Sequence, residues 1–578
     1  MFALILWIGI GCSAIRAARD FIRGRVGVDV IALCAMLVAA LLHQWIAGSV
    51  ILAMLLGGEA LEAYASHRAR RHLTHLLRGL PTIAHRRHGR GLQDVPVEQV
   101  APHDILIVKP GESIPVDGVI LTGSASVNES LLTGEPLPIY KNPHDHVIGG
   151  SINQDGLLEM HATHGAQESQ YQRIVALVRA AEENHAPIVR LADQYSLLFT
   201  CVTFALAGLA WFISRDPTRA LAVLVVATPC PLILATPIAI LSGMSRAAKR
   251  GIIIRNGEAF ELLARANVFL LDKTGTLTFG TPSIKEVLVF DTMQQDIVRI
   301  AASLDQGSSH VLARQLVAYA KKHRHKLAFP THFKETIGKG VAGTLDHHTY
   351  LFGRLSFLHE HDCTIPAAIR EEDSGRKNQG LRAVYLAEGK RLIGGIVFAD
   401  TLRPNIKPFL HELTNSGVQH IELLTGDKQA VADTIGRKIG IDSIRAECLP
   451  KDKLRSVRAW QTKGFTVAML GDGLNDAPAL AGADVGIAMG ANGSAAASDA
   501  ADVIITVDNV SRVTEARLIA QQSMHVAKNG ILIGIGLSCA MMVIAAAGCL
   551  SPVPGAIAQE AVDIIVIVHA LRFSMKHA

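Results

Sequence analysis

Three short apolar runs in this sequence each end in a polar cluster suited to phosphate or a hard cation. Val268–Leu271 leads into Asp272-Lys273-Thr274-Gly275-Thr276-Leu277-Thr278. A carboxylate at the end of a buried strand, followed by a glycine-containing turn, presents a nucleophile to a phosphoryl group, and the turn's amides can cradle phosphate oxygens. Asp-Lys alone could be a surface turn, but the seven-residue string is too specific for that. Val467–Leu470 ends in Gly471-Asp472-Gly473-Leu474-Asn475-Asp476. Two carboxylates four residues apart at a strand-to-helix turn can bind Mg²⁺, although in isolation the segment also reads as an ordinary Asp-Gly turn. Ile421–Leu424 ends in Thr425-Gly426-Asp427, which offers a hydroxyl and backbone amides. Lys451 and Lys453 add cations that could offset transition-state charge. Strands ending this way match a doubly wound sheet with its site at the carboxyl edge.

The elements around these clusters divide between lipid and water. The chain has 578 residues, 49% hydrophobic and only 19% charged, with a mean hydropathy of +0.29. A soluble enzyme carries about 25% charged residues, so part of the chain belongs in a bilayer. The net charge of +5, from 56 basic and 51 acidic residues, is too balanced to imply a nucleic-acid partner. None of the eight cysteines forms a CxxC pair, so there is no zinc-knuckle or redox-dithiol spacing. Apolar runs predict spans at Phe2–Ile15, Val28–Trp45, Ile46–Leu61, Leu197–Ile213, Ala220–Met244, Ile531–Leu550 and Ile557–Leu571, with a tight hairpin at His43–Ala47. Phe2–Ile15 lacks the basic start and cleavage site of a signal peptide. Arginine clusters after the first and third spans place those loops in the cytoplasm. An odd number of spans before the first polar block then implies an outside start or a further helix upstream. The polar block from Thr82 to His185 alternates like a small β-rich domain. The block from Ser245 to Lys528 is large enough for two α/β units.

Asp272–Thr278, Thr425–Asp427 and Gly471–Asp476, in this order and flanked by membrane spans, resemble the P-type ATPases over nearly the whole chain. The resemblance implies a multidomain α-helical membrane protein with a HAD-like α/β phosphorylation domain, an α+β nucleotide-binding insert and a β-rich actuator. The implied segments are 1–76 (three membrane helices), 77–190 (actuator), 191–245 (two membrane helices), 246–282 and 396–527 (phosphorylation domain), 283–395 (nucleotide insert) and 528–578 (two membrane helices). It also implies that ATP phosphorylates Asp272, with Asp272, Asp472 and Asp476 holding Mg²⁺. Lys453 would neutralise the aspartyl phosphate, Thr425, Gly426 and Asp427 would lie at its oxygens, and Thr274 and Asn475 would complete the loop. Thr133-Gly134-Glu135 would be the actuator's dephosphorylation loop, with Glu135 orienting water. Ser308-Ser309-His310-Val311 and Gly338-Lys339-Gly340 lie close to the nucleotide elements of the heavy-metal branch, His310 meeting adenine. Val311 stands where that branch carries proline.

The cargo is read from two spans. Thr228-Pro229-Cys230-Pro231 and Pro237 interrupt one of them; unwound backbone at membrane depth is tolerated where it is buried or lines a cavity. By itself this could be a kinked helix with an inert cysteine, but its position matches the family's metal-binding helix. The last span carries Gln559, Glu560, Asp563 and His569, the first three sharing a face by spacing, and intramembrane carboxylates are usually functional. Cys230 with Glu560 and Asp563, and His569 as a further candidate, is a mixed sulfur, oxygen and nitrogen set, unlike the sulfur-only sets Cu⁺ prefers. The combination resembles a subgroup associated with Fe²⁺, Ni²⁺ and Co²⁺, with Zn²⁺ or Cd²⁺ as the alternative. A K⁺-pump energising subunit is the second alternative. The expected protein is thus a monomeric, ATP- and Mg²⁺-dependent pump for a divalent transition metal, embedded in a bacterial plasma membrane with its catalytic domains in the cytoplasm.

Overall fold

A computed structural model describes residues 2–22, 29–58, 60, 83–89, 91–129, 138–163, 165, 190–227, 230–290, 294–308, 310–472, 474–489 and 500–575. The chain divides into two units, one formed mainly by Met1–Arg265 and Glu515–Ala578 and the other by Ala266–Ile504 and Asp508–Thr514.

In the first unit the helices Ser511–Ala546 and Pro552–Leu571 are long and apolar enough to cross a membrane, and shorter apolar helices cover Phe2–Ile15, Ile31–Leu41, Trp45–Gly58, Leu198–Ser214 and Pro217–Val226. The expected hairpin between the second and third spans is present, with His43 at φ 55°. The expected single span Ala220–Met244 is instead two helices, Pro217–Val226 and Cys230–Ala248. Pro229 and Pro231 lack the amide donors that would carry the first helix through. That first helix starts at Asp216, whose carboxylate accepts from the Thr218 amide at 2.9 Å, with Pro217 in the position that favours proline. The penultimate helix is also longer than its apolar run. Its polar first half buries Arg517, which donates to the Leu263 carbonyl at 2.8 Å.

The β-rich block of this unit follows the alternating pattern read from sequence. Six strands lie in the order 91–96, 83–88, 105–108, 158–162, 118–122, 146–147, and a second sheet has the order 139–141, 125–128, 152–153. Inward residues such as Leu106, Val108, Ile120, Val127, Leu158 and Met160 form one core. Each large apolar side chain so buried contributes about 1.5–3 kcal/mol.

The second unit contains a parallel sheet. Val268–Asp272 lies centrally, hydrogen-bonded on one side to His420–Leu424 and on the other to Val467–Gly471. Strands 443–445 and 485–489 extend the two flanks. The central strand is buried along its whole length, as expected of a parallel sheet covered on both faces. The parallel register aligns Asp272 with Leu424 and Leu271 with Leu470, so the three polar turns emerge at one edge. Between residues 278 and 402 the chain makes a separate six-stranded antiparallel sheet in the order 278–289, 391–402, 381–388, 348–353, 340–345, 331–336. Its two longest strands run through positions 283 and 395, the boundaries expected for the insert. Ile297, Ile300, Leu304 and Leu316 pack with Phe352, Ile396 and Phe398. Phe357 and Leu358 pack with Leu351, Tyr385 and Val397 in a second cluster.

Candidate functional site

Asp272 is the last residue of its strand and is 4% exposed. The following turn passes through Gly275 at φ 76°. A side chain there would overlap the Asp472 carboxylate, so glycine meets both a steric and a backbone requirement. Asp272, Asp472 and Asp476 each bring a carboxylate oxygen within 4.8 Å of the others. Lys453, on the helix Pro450–Thr462, bonds Asp272 and also reaches Asp476 at 2.5 Å. Burial, then the neighbouring Asp476, pushes the Asp272 carboxyl up to about 7 despite Lys453. The same causes push Asp472 up to about 6, whereas Asp272 and Asp476 raise the Lys453 pKa against its own desolvation. Three carboxyls against one ammonium leave the pocket short of positive charge. An oxygen-ligated Mg²⁺ fits that donor set.

The neighbouring turns are braced by ion pairs. Lys273 is 3% exposed at its side chain and bridges Asp400 at 2.7 Å and Asp427 at 2.6 Å. Thr425 is buried, and its hydroxyl oxygen accepts from the Asp427 amide at 3.2 Å, leaving the hydroxyl hydrogen available to a phosphate oxygen. Gly426, Thr274 and Asn475 are exposed beside these groups. Arg403 holds the phosphorylation turn from behind. It donates to the Thr276 carbonyl at 2.7 Å and to the Gly275 carbonyl at 3.0 Å, and it pairs with Asp508.

In the insert, an open cleft is lined by Asp305, His310, Glu335, Lys339, Gly340 and Arg354, among others. Gly338 also lines it. His310 caps the helix Val311–Lys322, its Nδ1 accepting from the Leu312 amide at 3.1 Å, so in the neutral ring the proton sits on Nε2. Val311 is therefore the first residue of a helix, where proline is favoured for its fixed φ and the amide has no partner to lose. His310 caps that helix without the proline. Burial, then Glu335, pushes the Asp305 carboxyl up to about 7.

In the membrane helices, Gln559 and Asp563 are 0% and 2% exposed. Ser538 donates to Gln559 at 3.2 Å, and the Gln559 amide donates to Asp563 at 3.0 Å. Glu560 lies beside Gly57. Gly555 faces Val226, and Ile238 packs with Ile567 and Ala570, so the two stretches run parallel. The Cys230 side chain, and residues 130–137 with Thr133, Gly134 and Glu135, lie outside the described residues.

Residues 78–179 match the P-type ATPase actuator domain, and residues 266–484 match haloacid dehalogenase-like hydrolases. The copper-exporting P-type ATPase of Legionella pneumophila is 34% identical over 544 residues, covering 91% of this chain and 74% of that protein. The chain belongs to the heavy-metal P-type ATPases. A copper-exporting relative from Staphylococcus aureus (strain JH9) is 34% identical over 539 residues, and the match spans 66% of its length. The crystal structure of a zinc-transporting PIB-type ATPase in its E2·Pi state has a TM-score of 0.70 at 28% identity, covering 99% of this chain and 94% of that one. A P-type ATPase is a membrane-embedded, cation-transporting ATP hydrolase that uses Mg²⁺ and keeps its catalytic domains in the cytoplasm.

Several groups at this ATPase's sites escape a reading by motif. Lys273 meets Asp400 and Arg403 meets Gly275 only because strands 278–289 and 391–402 pair. Asp305 did carry a local signal. It ends the helix Gln294–Asp305, where the helix dipole disfavours a carboxylate.

Proposed function

We propose that this chain exports a divalent transition metal, Fe²⁺, Ni²⁺ or Co²⁺, by ATP-driven phosphorylation of Asp272. The single observation that carries the cargo assignment is the buried Ser538–Gln559–Asp563 chain of hydrogen bonds in otherwise apolar helices, with Gln559 and Asp563 on the helix that packs against Cys230–Ala248. Oxygen ligands joined by one thiolate suit borderline divalent ions better than Cu⁺, and the copper exporters' second cysteine is absent from Thr228-Pro229-Cys230-Pro231. Zn²⁺ or Cd²⁺ is the second reading. It is favoured by the zinc-transporting structural relative and by zinc's acceptance of Cys and Asp ligands. The K⁺-pump alternative does not fit a heavy-metal family member.

In the proposed cycle, an Asp272 oxygen attacks the γ-phosphorus of ATP, and the bond to the β-phosphate oxygen breaks to release ADP. Asp272, Asp472 and Asp476 would hold Mg²⁺, which when bound would supply positive charge for the phosphoryl oxygens. Lys453 offsets the charge of the aspartyl phosphate, and the Thr425 hydroxyl donates to one of its oxygens. Arg403 keeps the 275–276 carbonyls turned away from the phosphate. His310 and the cavity around Gly338 and Gly340 hold the nucleotide. Glu135 then orients the water that hydrolyses the acyl phosphate, with Thr133 and Gly134 shaping its loop. The domain limits of the expected segments are part of the same proposal.

ATP hydrolysis and ³²P labelling of the reconstituted pump across a metal panel test this reading. Stimulation by Fe²⁺, Ni²⁺ or Co²⁺, lost in Asp272→Asn and Cys230→Ala, is the expected outcome. Stimulation by Zn²⁺ or Cd²⁺ alone selects the second reading. Turnover without metal, or normal labelling of Asp272→Asn, overturns the mechanism.

A further inference from the structure

The helix Gly257–Arg265 ends just before the strand that carries Asp272. The last carbonyls of a helix have no partner within it, and here two of them are met by side chains of the helix Ser511–Ala546. Arg517, 2% exposed, donates to the Leu263 carbonyl at 2.8 Å, and Gln521 donates to the Ala264 carbonyl at 3.4 Å. Four residues apart, these two side chains share one face of their helix. A guanidinium at a helix C-terminus lies where the helix dipole favours positive charge. Joining two helices by a buried charge is nonetheless costlier than joining them by apolar packing.

The far end of the connection is fixed as well. The Asn267 amide donates to the Thr466 carbonyl at 3.0 Å, and the Asn267 side chain accepts from the Thr466 amide at 2.9 Å. Its carbonyl accepts from the Gln419 amide at 2.8 Å. Asn267 is thereby tied to the segments that lead into both neighbours of the strand Val268–Asp272. Only Ala264, Arg265 and Ala266 separate it from the residue whose carbonyl Arg517 holds, and Ala266 is fully buried. So short a link has little slack, and a displacement of Leu263 is delivered to the start of the phosphorylation strand. On the other side, the helix that carries Arg517 runs unbroken to Ser538, which donates to Gln559 in the buried chain ending at Asp563. Gly243, on the helix that begins at Cys230, lies so close to Ser523 and Phe260 that a side chain there would press on both. The helices bearing Cys230 and Ser538 therefore both meet the helix Gly257–Arg265. Shifts of about 1–2 Å between packed helices are a common form of switching.

We propose that Arg517 is a positioning residue that couples metal binding in the membrane helices to phosphorylation of Asp272, by moving the end of the helix Gly257–Arg265 together with its own helix. This rests on the reading of the chain as a metal-stimulated pump. Arg517 acts through Leu263 and binds neither metal nor phosphate.

The test uses the full-length reconstituted pump and its Arg517→Gln, Arg517→Lys, Gln521→Ala and Arg250→Gln variants. The last removes an exposed ion pair of the same helix, Arg250 with Glu515 at 2.5 Å, that involves no residue of the helix Gly257–Arg265. ³²P labelling from ATP is measured with and without the ion that best stimulates the wild type among Fe²⁺, Ni²⁺, Co²⁺, Zn²⁺ and Cd²⁺. Equilibrium binding of that ion, labelling of Asp272 by inorganic phosphate and the melting temperature are measured on the same samples. Arg517→Gln is expected to cut metal stimulation about tenfold or more, within the range usual for coupled sites. Arg517→Lys should fall in between, since an ammonium can still meet one carbonyl, and Gln521→Ala should lose less. Ion binding and labelling by inorganic phosphate should be retained, and Arg250→Gln should match the wild type, as an exposed pair contributes little. Undiminished stimulation in Arg517→Gln would overturn the proposal, and so would equal uncoupling in Arg250→Gln. A loss of ion binding and phosphate labelling in step with stimulation, in a protein that melts normally, would also overturn it. If Arg517→Gln does not fold, undiminished stimulation in both Arg517→Lys and Gln521→Ala is the overturning result. A wild type stimulated by no ion of the panel would instead refute the metal-pump reading, and this inference with it.

Discussion

At the level of single residues, Lys453 touches two carboxylates and leaves the pocket of Asp272, Asp472 and Asp476 short of positive charge. That imbalance ties magnesium binding to pH. In the metal-free fold the Asp272 carboxyl is raised to about 7 and that of Asp472 to about 6. Both folded-state values lie above those of the unfolded chain, so the protonated forms are favoured by folding. The associated stability is fully present below about pH 4 and is lost as pH rises through the folded values. Mg²⁺ requires the ionised oxygens and must displace those protons. Its apparent affinity should therefore climb severalfold between pH 6 and pH 7.5 and flatten above. The measurement is the Mg²⁺ concentration that half-saturates phosphoenzyme formation at each pH. A value independent of pH across that range would show that burial and repulsion among the carboxyls do not control the site.

Among the elements, the strand ends were legible because a parallel sheet turns three sequence-local clusters into one site. Each of Val268–Asp272, His420–Leu424 and Val467–Gly471 needs only its own apolar run and its own turn to be read. What joins elements distant in sequence was not legible. Arg403 reaches the 275–276 carbonyls across more than a hundred residues, and no periodicity encodes that distance. The break between Pro217–Val226 and Cys230–Ala248 was half legible. The prolines announced a distortion, but hydropathy alone merged the two helices into one span. Val311 is a case where local structure decides what a motif comparison leaves open. His310 sits at φ −64° and ψ 144°, the extended region that a following proline imposes, and Val311 opens the helix. Val311→Pro should accordingly be tolerated, changing half-saturating ATP by less than about twofold and leaving the melting temperature equal or slightly higher. A severalfold loss of ATP affinity would mean that the helix start differs when nucleotide is bound.

Across the whole molecule, the buried Ser538–Gln559–Asp563 chain and the Asp272 pocket belong to different units of one chain, so damage to one can be separated from damage to the other. Asp563→Asn is the cleanest probe. The asparagine keeps an oxygen to accept from the Gln559 amide, which now bonds Asp563 at 3.0 Å, so the Ser538–Gln559 link and the helix packing are preserved. The substitution removes one carboxylate oxygen from an otherwise apolar helix, where intramembrane carboxylates are usually functional. Metal-stimulated ATP hydrolysis should fall about 10–100-fold, the range seen when a metal site loses one well-placed group. Nucleotide binding at the cavity around His310, and labelling of Asp272 by inorganic phosphate, should persist. Simultaneous loss of all three activities would indicate a failure of folding, which a melting curve on the same sample identifies. Full metal stimulation in a well-folded Asp563→Asn protein would remove Asp563 from the transport path, and the oxygen-rich argument for Fe²⁺, Ni²⁺ or Co²⁺ would fall with it.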